Sequence, residues 1–537
     1  MASLSTRALR AVREPRGRPS HTPAPGHAPG RAEPRGRAGP RRPAASPARG
    51  AAGPPPPPAP SGRAGAAPVG PEGGSHRPFT VTEQLILASD RRWSPLTVGV
   101  VAETDAVIDL ERLRRSVRRS MRSHPMARAL ITPGAGSAPG WRFPPGAEPL
   151  GEPVHEIDVA ADGADGADGG AAADAGSGGA VWRALETLSS RPFDLRSSPP
   201  VRFLLAHRPT GDVVGLVAHH AALDGVSALA LLQEVLAGCR VDRPGRLSAG
   251  AGGPATAAVP APPPATASPA PSAGSAAPAA RPVSGRRSRH LVPTGPRRAR
   301  GFGMYCVDLP VPRGLPLADG RRMTVNDLLI SAAHLAAERW NTERGRPTGT
   351  VRVRMPMDAA PASSAGTARS AGNLAGQAMI GTSAADRAAP QRLARRVVEQ
   401  TVDAKRTPWR WADAPATAAV TVAMSVLPGP LGRVALRGAV AATRGFLTPT
   451  LAVSNIGRPD TPPATDGTAP TITGLSFTAT TGMPQGLLIC AAGGADRLRL
   501  MFCHHRRLFD PAGVRRFAEV YQVALVEIAG SLAAALK

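Results

Sequence analysis

The 537-residue sequence predicts an α/β (α+β) architecture of two mixed blocks. Three observations carry that expectation. The chain is too long for one core and suits two or three domains. Two stretches with helical and strand periods flank a segment, 241–297, that collapses into Ala, Pro, Ser and Gly. Within each stretch the strands do not simply alternate with helices, so a doubly wound sheet is excluded. The resulting division is an arm (1–75), a first block (76–240), a linker (241–297) and a second block (298–537).

Residues 1–75 are Arg, Pro, Ala and Gly without a hydrophobic period. Such a segment cannot bury enough apolar surface to order itself, so it reads as disordered or as an over-extended start. The first helix begins in "FTVTEQLILASD", with Thr80 or Thr82 as its cap. "LTVGVVAET" reads as a strand. "DLERLRRSVRRSMRSHP" places Leu110, Leu113, Val117 and Met121 at helical spacing, and Pro125 ends it. "MARALIT" reads as a second strand, and the Asp-Gly-rich run 160–179 as an inserted loop. "VWRALETLSSRPFDLRSSPPVRFLLAHR" gives helix, turn and strand. "DVVGLVAHH" pairs with that strand across "PTGD" as a hairpin.

In the second block "GFGMYCVDLPV", "TVRVRMPMD" and "AGNLAGQAMI" read as strands. "TVNDLLISAAHLAAERWNTERG" is a helix capped at Thr324, with Asp327 in its first turn, and "PQRLARRVVEQTVDAKR" is another. The end of the chain gives the strands "TPTLAVSNIG", "ITGLSFTATT" and "QGLLICAAGGADRLRLMFCHH". A final helix then starts with Asp510 at the N-cap and Pro511 at N1.

Composition narrows the function. Apolar residues are 42% and aromatics only 3%, so Leu, Val, Ile and Ala fill the cores. The formal charge of +26 suggests a polyanion partner. Nearly all of it is Arg, with Lys only at Lys405 and Lys537, and much lies in low-complexity segments. Neither the aromatic-interleaved basic pattern of a single-strand binder nor a zinc-finger spacing is present, so no nucleic-acid partner is expected. Cys239, Cys306, Cys490 and Cys503 are scattered without a CxxC pair. A disulfide framework and a metal site are therefore not expected, and a cytoplasmic location is. The Arg-rich start lacks the apolar core of a secretion signal. No clean run of about 18 apolar residues predicts a membrane span.

The stretch "VVGLVAHHAALDGVSALALLQEVLAG" carries the chemistry. It sets His219 and His220 at the end of an apolar strand and Asp224-Gly225 at the start of an apolar helix. Strand geometry sends the two histidines to opposite sides, so one packs inward while the other faces a cleft. Asp224 stands at the strand-to-helix turn, where it is placed to cap the helix. Gly225 permits a tight backbone there.

"HHAALDG" resembles the HHxxxDG signature of the condensation-domain superfamily. That group includes nonribosomal peptide condensation domains, polyketide-associated acyltransferases, wax ester synthase/diacylglycerol acyltransferases and chloramphenicol acetyltransferase. "RPFDLRSSPPVRFLL", "VNDLLISAAHLAA", "VRVRMPMD", "AGNLAG" and "SNIGR" resemble further family segments in order, over roughly 78–530. The resemblance implies two chloramphenicol-acetyltransferase-like lobes with an active-site tunnel between them. It implies His220 as catalytic base, His219 as its structural neighbour and Asp224 as a carboxylate paired with an arginine. Gly225 matches a position whose N–H faces the oxyanion, and Asn373, Ser454 and Asn455 match substrate-binding segments. It implies no permanently bound cofactor, with acyl-CoA or a phosphopantetheinyl carrier as co-substrate.

The sequence also departs from the family. No DFGWG loop is visible, and "TATTGMPQG" occupies that region. The arginine that follows the family's Pro-Val-Asn is missing from "MPMDAAP", which leaves Arg352 and Arg354 as candidate partners of Asp224. The absence of adenylation and carrier domains leans toward a free-standing acyltransferase. A second His-His pair, His504-His505, precedes Asp510 at a longer spacing and without the Gly. It reads as a pair of strand-end residues.

The leading expectation is thus transfer of an acyl group from a thioester to a hydroxyl or amine, with a small-molecule or lipid acceptor. A stand-alone peptide condensation enzyme forming an amide is the alternative, and an inactive carrier-docking module a further one. An acyl or peptidyl carrier protein and peripheral membrane contact stay open as partners.

Overall fold

The computed structural model describes residues 76–132, 139–145, 151–158, 178–239, 289–312, 315–317, 320–358, 373, 375–406, 438, 448–458, 469–494 and 496–534. The expected disordered arm, the Asp-Gly-rich loop apart from its last two residues, and most of the linker lie outside them.

The first half of the chain supplies β1 (His76–Pro78), α1 (Val81–Ser89), β2 (Thr97–Thr104) and α2 (Leu110–Ser123). A single 3-10 turn (Pro125–Arg128) leads to β3 (Leu130–Thr132), β4 (Gly140–Arg142) and β5 (Val154–Asp158). Then come α3 (Gly178–Ser190), β6 (Val201–His207), β7 (Val213–His219) and α4 (Gly225–Ala237). The expected strand "MARALIT" is shorter than its pattern. Pro125 opens the 3-10 turn, which absorbs Met126–Arg128, and the three remaining residues join a small sheet of order β1-β4-β3.

The second half supplies β8 (Phe302–Pro310), a short pair β9 (Leu315–Pro316) and β10 (Arg322–Met323), and α5 (Val325–Thr342). After these come β11 (Val351–Asp358), β12 (Ala375–Thr382), α6 (Ala384–Arg387) and α7 (Pro390–Arg406). Four strands and one helix follow: β13 (Leu451–Asn455), β14 (Ile472–Ala479), β15 (Leu487–Gly493), β16 (Arg497–His505) and α8 (Pro511–Ala534).

Two large mixed sheets organise these elements. One has the order β14-β2-β7-β6-β5 and the other β12-β11-β13-β15-β16-β8. In the first, side-chain alternation along β7 sends Val214, Leu216 and Ala218 to the face covered by α2 and α4. Val213 and Val217 go to the opposite face, against Leu185 and Leu188 of α3. Both faces are buried, which is why β7 reads as an unbroken apolar run.

The second sheet covers one face with α5, α7 and α8 through Val351, Val353, Leu451, Ile489 and Phe502. Its other face carries Cys490, Ala492, Met501 and Cys503. These pack with Phe477 and Ala479 of β14 into the core of the first sheet. The expected division at the linker is therefore crossed by one strand. β14, late in the chain, pairs antiparallel with β2, Ala479 lying opposite Val98. All described residues fall in one compact unit, Val69–Lys537.

Helix caps follow the sequence. Thr80 with Glu83 and Thr324 with Asp327 form capping boxes on α1 and α5. Asp510 Oδ1 accepts the Gly513 N–H at 2.6 Å at the start of α8. By length and composition α8 could cross a membrane, the one described helix that could. Its Val514, Phe517, Tyr521 and Ile528 are buried in the core that it shares with α5.

Candidate active site

β7 ends at His219, and the turn His220–Leu223 connects it to α4. His219 continues the odd-numbered face of the strand, which points toward α3. It is 1% exposed and sits edge-on to Phe193 at 5.9 Å between centroids. Its Nδ1 accepts the Ala221 N–H at 3.2 Å, and its Nε2 stands 3.7 Å from Asp90 Oδ2. With one ring nitrogen committed to the turn and the ring packed on Phe193, His219 fixes the turn.

His220 is half-buried and held from three sides. Its N–H donates to the Leu96 carbonyl at 2.9 Å. Asn373 Nδ2 donates to the His220 carbonyl at 2.7 Å and lies 3.3 Å from its Nδ1. That Nδ1 also stands 3.3 Å from the Leu223 carbonyl. The Leu223 carbonyl can only accept and the Asn373 amide nitrogen can only donate; a proton on Nδ1 serves the first contact and leaves Nε2 with a lone pair. No hydrogen bond engages Nε2 among the described residues. Burial pushes the imidazole below its usual range; the Leu223 carbonyl and Asp224 pull it back up, and the charge of Arg354 pushes it down again. Burial thus favours the neutral ring, the form in which a free Nε2 could act as a general base.

Asp224 is buried and caps α4, its Oδ1 accepting the Ser227 N–H at 2.8 Å. Gly225 follows as the first helical residue. A Cβ there would stand 2.7 Å from the Phe477 ring and 3.5 Å from Ile456. The glycine is thus required by the close approach of α4 to β14 and to the end of β13. This contact joins the two halves of the chain beside the histidine turn.

Of the two arginines expected near Asp224, Arg354 takes another partner. It projects from the face of β11 opposite the core residues Val353 and Met355, and it donates to Gln485 Oε1. Its Nε is enclosed without a hydrogen-bond partner, and burial pushes its guanidinium down to about 10. Arg352 lies two residues earlier on the same face.

Asn373 therefore meets the histidine turn directly. Ser454 and Asn455 lie at the end of β13, and neither is hydrogen-bonded to His220. Asn455 Oδ1 accepts the Gly457 N–H at 2.8 Å, closing the strand with an Asx turn at a glycine of positive φ. Ile456, the next residue, reaches Gly225. Residues not singled out by sequence also build the site: Leu96 and Asp90 hold the histidines, Phe477 packs on Gly225, and Gln485 holds Arg354. Only the position of Gln485 in the segment replacing the DFGWG loop could have signalled it.

No family model matches the chain, and no curated protein matches it. Solved structures do. The first condensation domain of the calcium-dependent antibiotic synthetase, in complex with a substrate analogue, matches 84% of this chain and 96% of its own. The identity is 14% and the TM-score 0.50. The wax ester synthase/diacylglycerol acyltransferase from Marinobacter aquaeolei VT8 is 12% identical, over 85% of this chain and 99% of its own, with TM-score 0.49. The epimerization domain from the third module of tyrocidine synthetase B is 12% identical, over 86% and 99%, with TM-score 0.48. At such identity the likeness is one of fold: an α/β architecture with mixed sheets like that of the antibiotic synthetase's condensation domain.

Proposed function

We propose that the chain catalyses acyl transfer from a thioester, with His220 as the general base. The observation that carries the reading is the His220 ring. Burial favours its neutral form, its Nδ1 faces the Leu223 carbonyl, and no hydrogen bond occupies Nε2 among the described residues. An amine or hydroxyl attacks the thioester carbonyl while Nε2 takes its proton. The tetrahedral oxyanion collapses, the C–S bond breaks, and the proton passes from Nε2 to the departing thiolate. No covalent enzyme intermediate is needed. The Gly225 N–H, at the N-terminus of α4, is the donor nearest in sequence for the oxyanion.

On this reading the two sheets form two lobes, with the active-site channel opening between them beside Gly225, Ile456 and Phe477. Asp224 seats the helix rather than touching substrate, and Asn373 orients His220. The donor is acyl-CoA or a phosphopantetheinyl carrier. Of the two products weighed, an amide is better supported than an ester, because the neighbour at TM-score 0.50 is a condensation domain. The test is intact-mass analysis of amine and alcohol acceptors incubated with a panel of acyl-CoAs and acyl carriers. Acyl transfer by the parent that is lost in His220→Ala supports the proposal, and transfer unchanged in that variant refutes it.

A further inference from the structure

A cleft of about 590 Å³, not lined by His220, lies where the turn after α1, the end of α3 and the approach to β8 meet. Backbone and side-chain bonds fix its walls. Gly301 N–H donates to the Trp93 carbonyl, Phe302 N–H to Ser190 Oγ at 3.0 Å, and Arg506 N–H to the Gly301 carbonyl at 3.1 Å. Four arginines line it, Arg92, Arg191, Arg300 and Arg506, with Glu186 the single acidic residue.

That carboxylate is already spent. Glu186 accepts from Met304 N–H at 2.6 Å and from Arg506 at 2.7 Å. Arg92, Arg191 and Arg300 have no carboxylate partner among the described residues. The last carbonyls of α3, which would otherwise oppose an anion, are bonded by Arg202 through Leu188, Arg191 and Pro192. Like charges gathered in a cleft focus a positive potential that a polyanion relieves. Beside them Trp93 is 58% exposed, in a chain with few aromatics. An exposed indole on a charged wall is a stacking surface for a planar ring, and the volume is that of a small-ligand site.

We propose that this cleft binds a nucleoside-diphosphate group, its phosphates on Arg92, Arg191 and Arg300 and its base on Trp93. The site adjoins the histidine turn. Arg92 and Trp93 lie between Asp90, which faces His219, and Leu96, which holds His220. The same chemistry is offered by a free nucleotide and by the adenosine end of a coenzyme A donor. The binding itself does not rest on the catalytic reading.

Calorimetry on the full chain tests it, with ADP, coenzyme A, inorganic pyrophosphate and poly(U) as titrants. ADP should bind, and Arg92→Glu and Arg300→Glu, both at exposed side chains, should each weaken it by about tenfold or more. Trp93→Ala should weaken ADP by about tenfold while leaving pyrophosphate nearly unchanged. Coenzyme A binding more tightly than ADP supports the site as the donor's handle, and equal binding supports a free nucleotide. His220→Ala should leave every affinity intact, so loss of turnover and loss of binding are read separately. No ADP binding by the parent at millimolar concentration overturns the proposal. So does equal ADP binding by all the cleft variants, or poly(U) binding far tighter than ADP and indifferent to Trp93→Ala.

Discussion

The chain writes His-His at two strand ends and follows each with an aspartate that caps a helix. His219–His220 closes β7 before Asp224 and α4; His504–His505 closes β16 before Asp510 and α8. The surroundings separate them. His504 and His505 are both buried, the first packed on Phe509 and the second edge-on to Phe302. Both imidazoles are pushed down to about 4, chiefly by burial. His505 Nδ1 is spent on the Arg507 N–H, as His219 Nδ1 is on Ala221. Of the four, only His220 combines a partly open ring, an Nδ1 facing a carbonyl and an Nε2 without a hydrogen bond among the described residues. The dipeptide therefore does not define a base. What defines it is the residue after the strand, lifted out of the sheet by the turn and held by Leu96, Asn373 and Leu223.

Substitutions at the two pairs should separate accordingly. The largest effect is expected at His220. His220→Ala should keep the melting temperature and lower thioester turnover by roughly 10²–10⁴-fold, the range for removing acid–base catalysis. His505→Ala should do the reverse, with a lowered melting temperature and a nearly unchanged rate.

Gly225→Ala comes next. Its Cβ would meet the Phe477 ring, so thermal unfolding should show a loss of about 1–3 kcal/mol from overpacking. At the second pair the first helical residue is Pro511, which already carries a Cβ. The caps should be more alike. Asp224→Ala and Asp510→Ala should each cost about 0.5–2 kcal/mol in denaturant unfolding. A loss of about 3–5 kcal/mol at Asp224 alone would instead mark a buried counter-charge left behind.

The second pair alone should also carry a pH dependence of stability. His504 and His505 have folded pKa values near 4, below their unfolded value. Their contribution is complete above the unfolded histidine range and is lost as pH falls from there through about 4. Melting temperatures from pH 7 to 4 should fall less steeply in His504→Phe than in the parent.

The parts of this structure that were legible in the sequence are the local ones. Thr80 with Glu83, Thr324 with Asp327, and Asp510 with Pro511 announce helix starts within four residues. The β6–β7 hairpin is announced by its turn. Long-range pairings leave no such mark. β14 lies against β2 through contacts such as Thr97 N–H to Thr480 Oγ1 at 2.7 Å, and nothing near either residue encodes the other. The same reason hides the Gly225–Phe477 approach and the use of Gln485 by Arg354. An arginine within reach of Asp224 on the strand pattern turned out to serve another residue, because alternation fixes a face but not a partner.

The pH–rate profile of thioester turnover, in the parent and in His220→Ala, tests the distinction between the two histidine pairs most directly. The account predicts a parent rate that rises with pH through an inflection below the usual histidine value, because burial holds His220 neutral. That inflection should vanish in His220→Ala and persist in His504→Phe. An inflection that survives in His220→Ala, or that disappears only with His504, would contradict it.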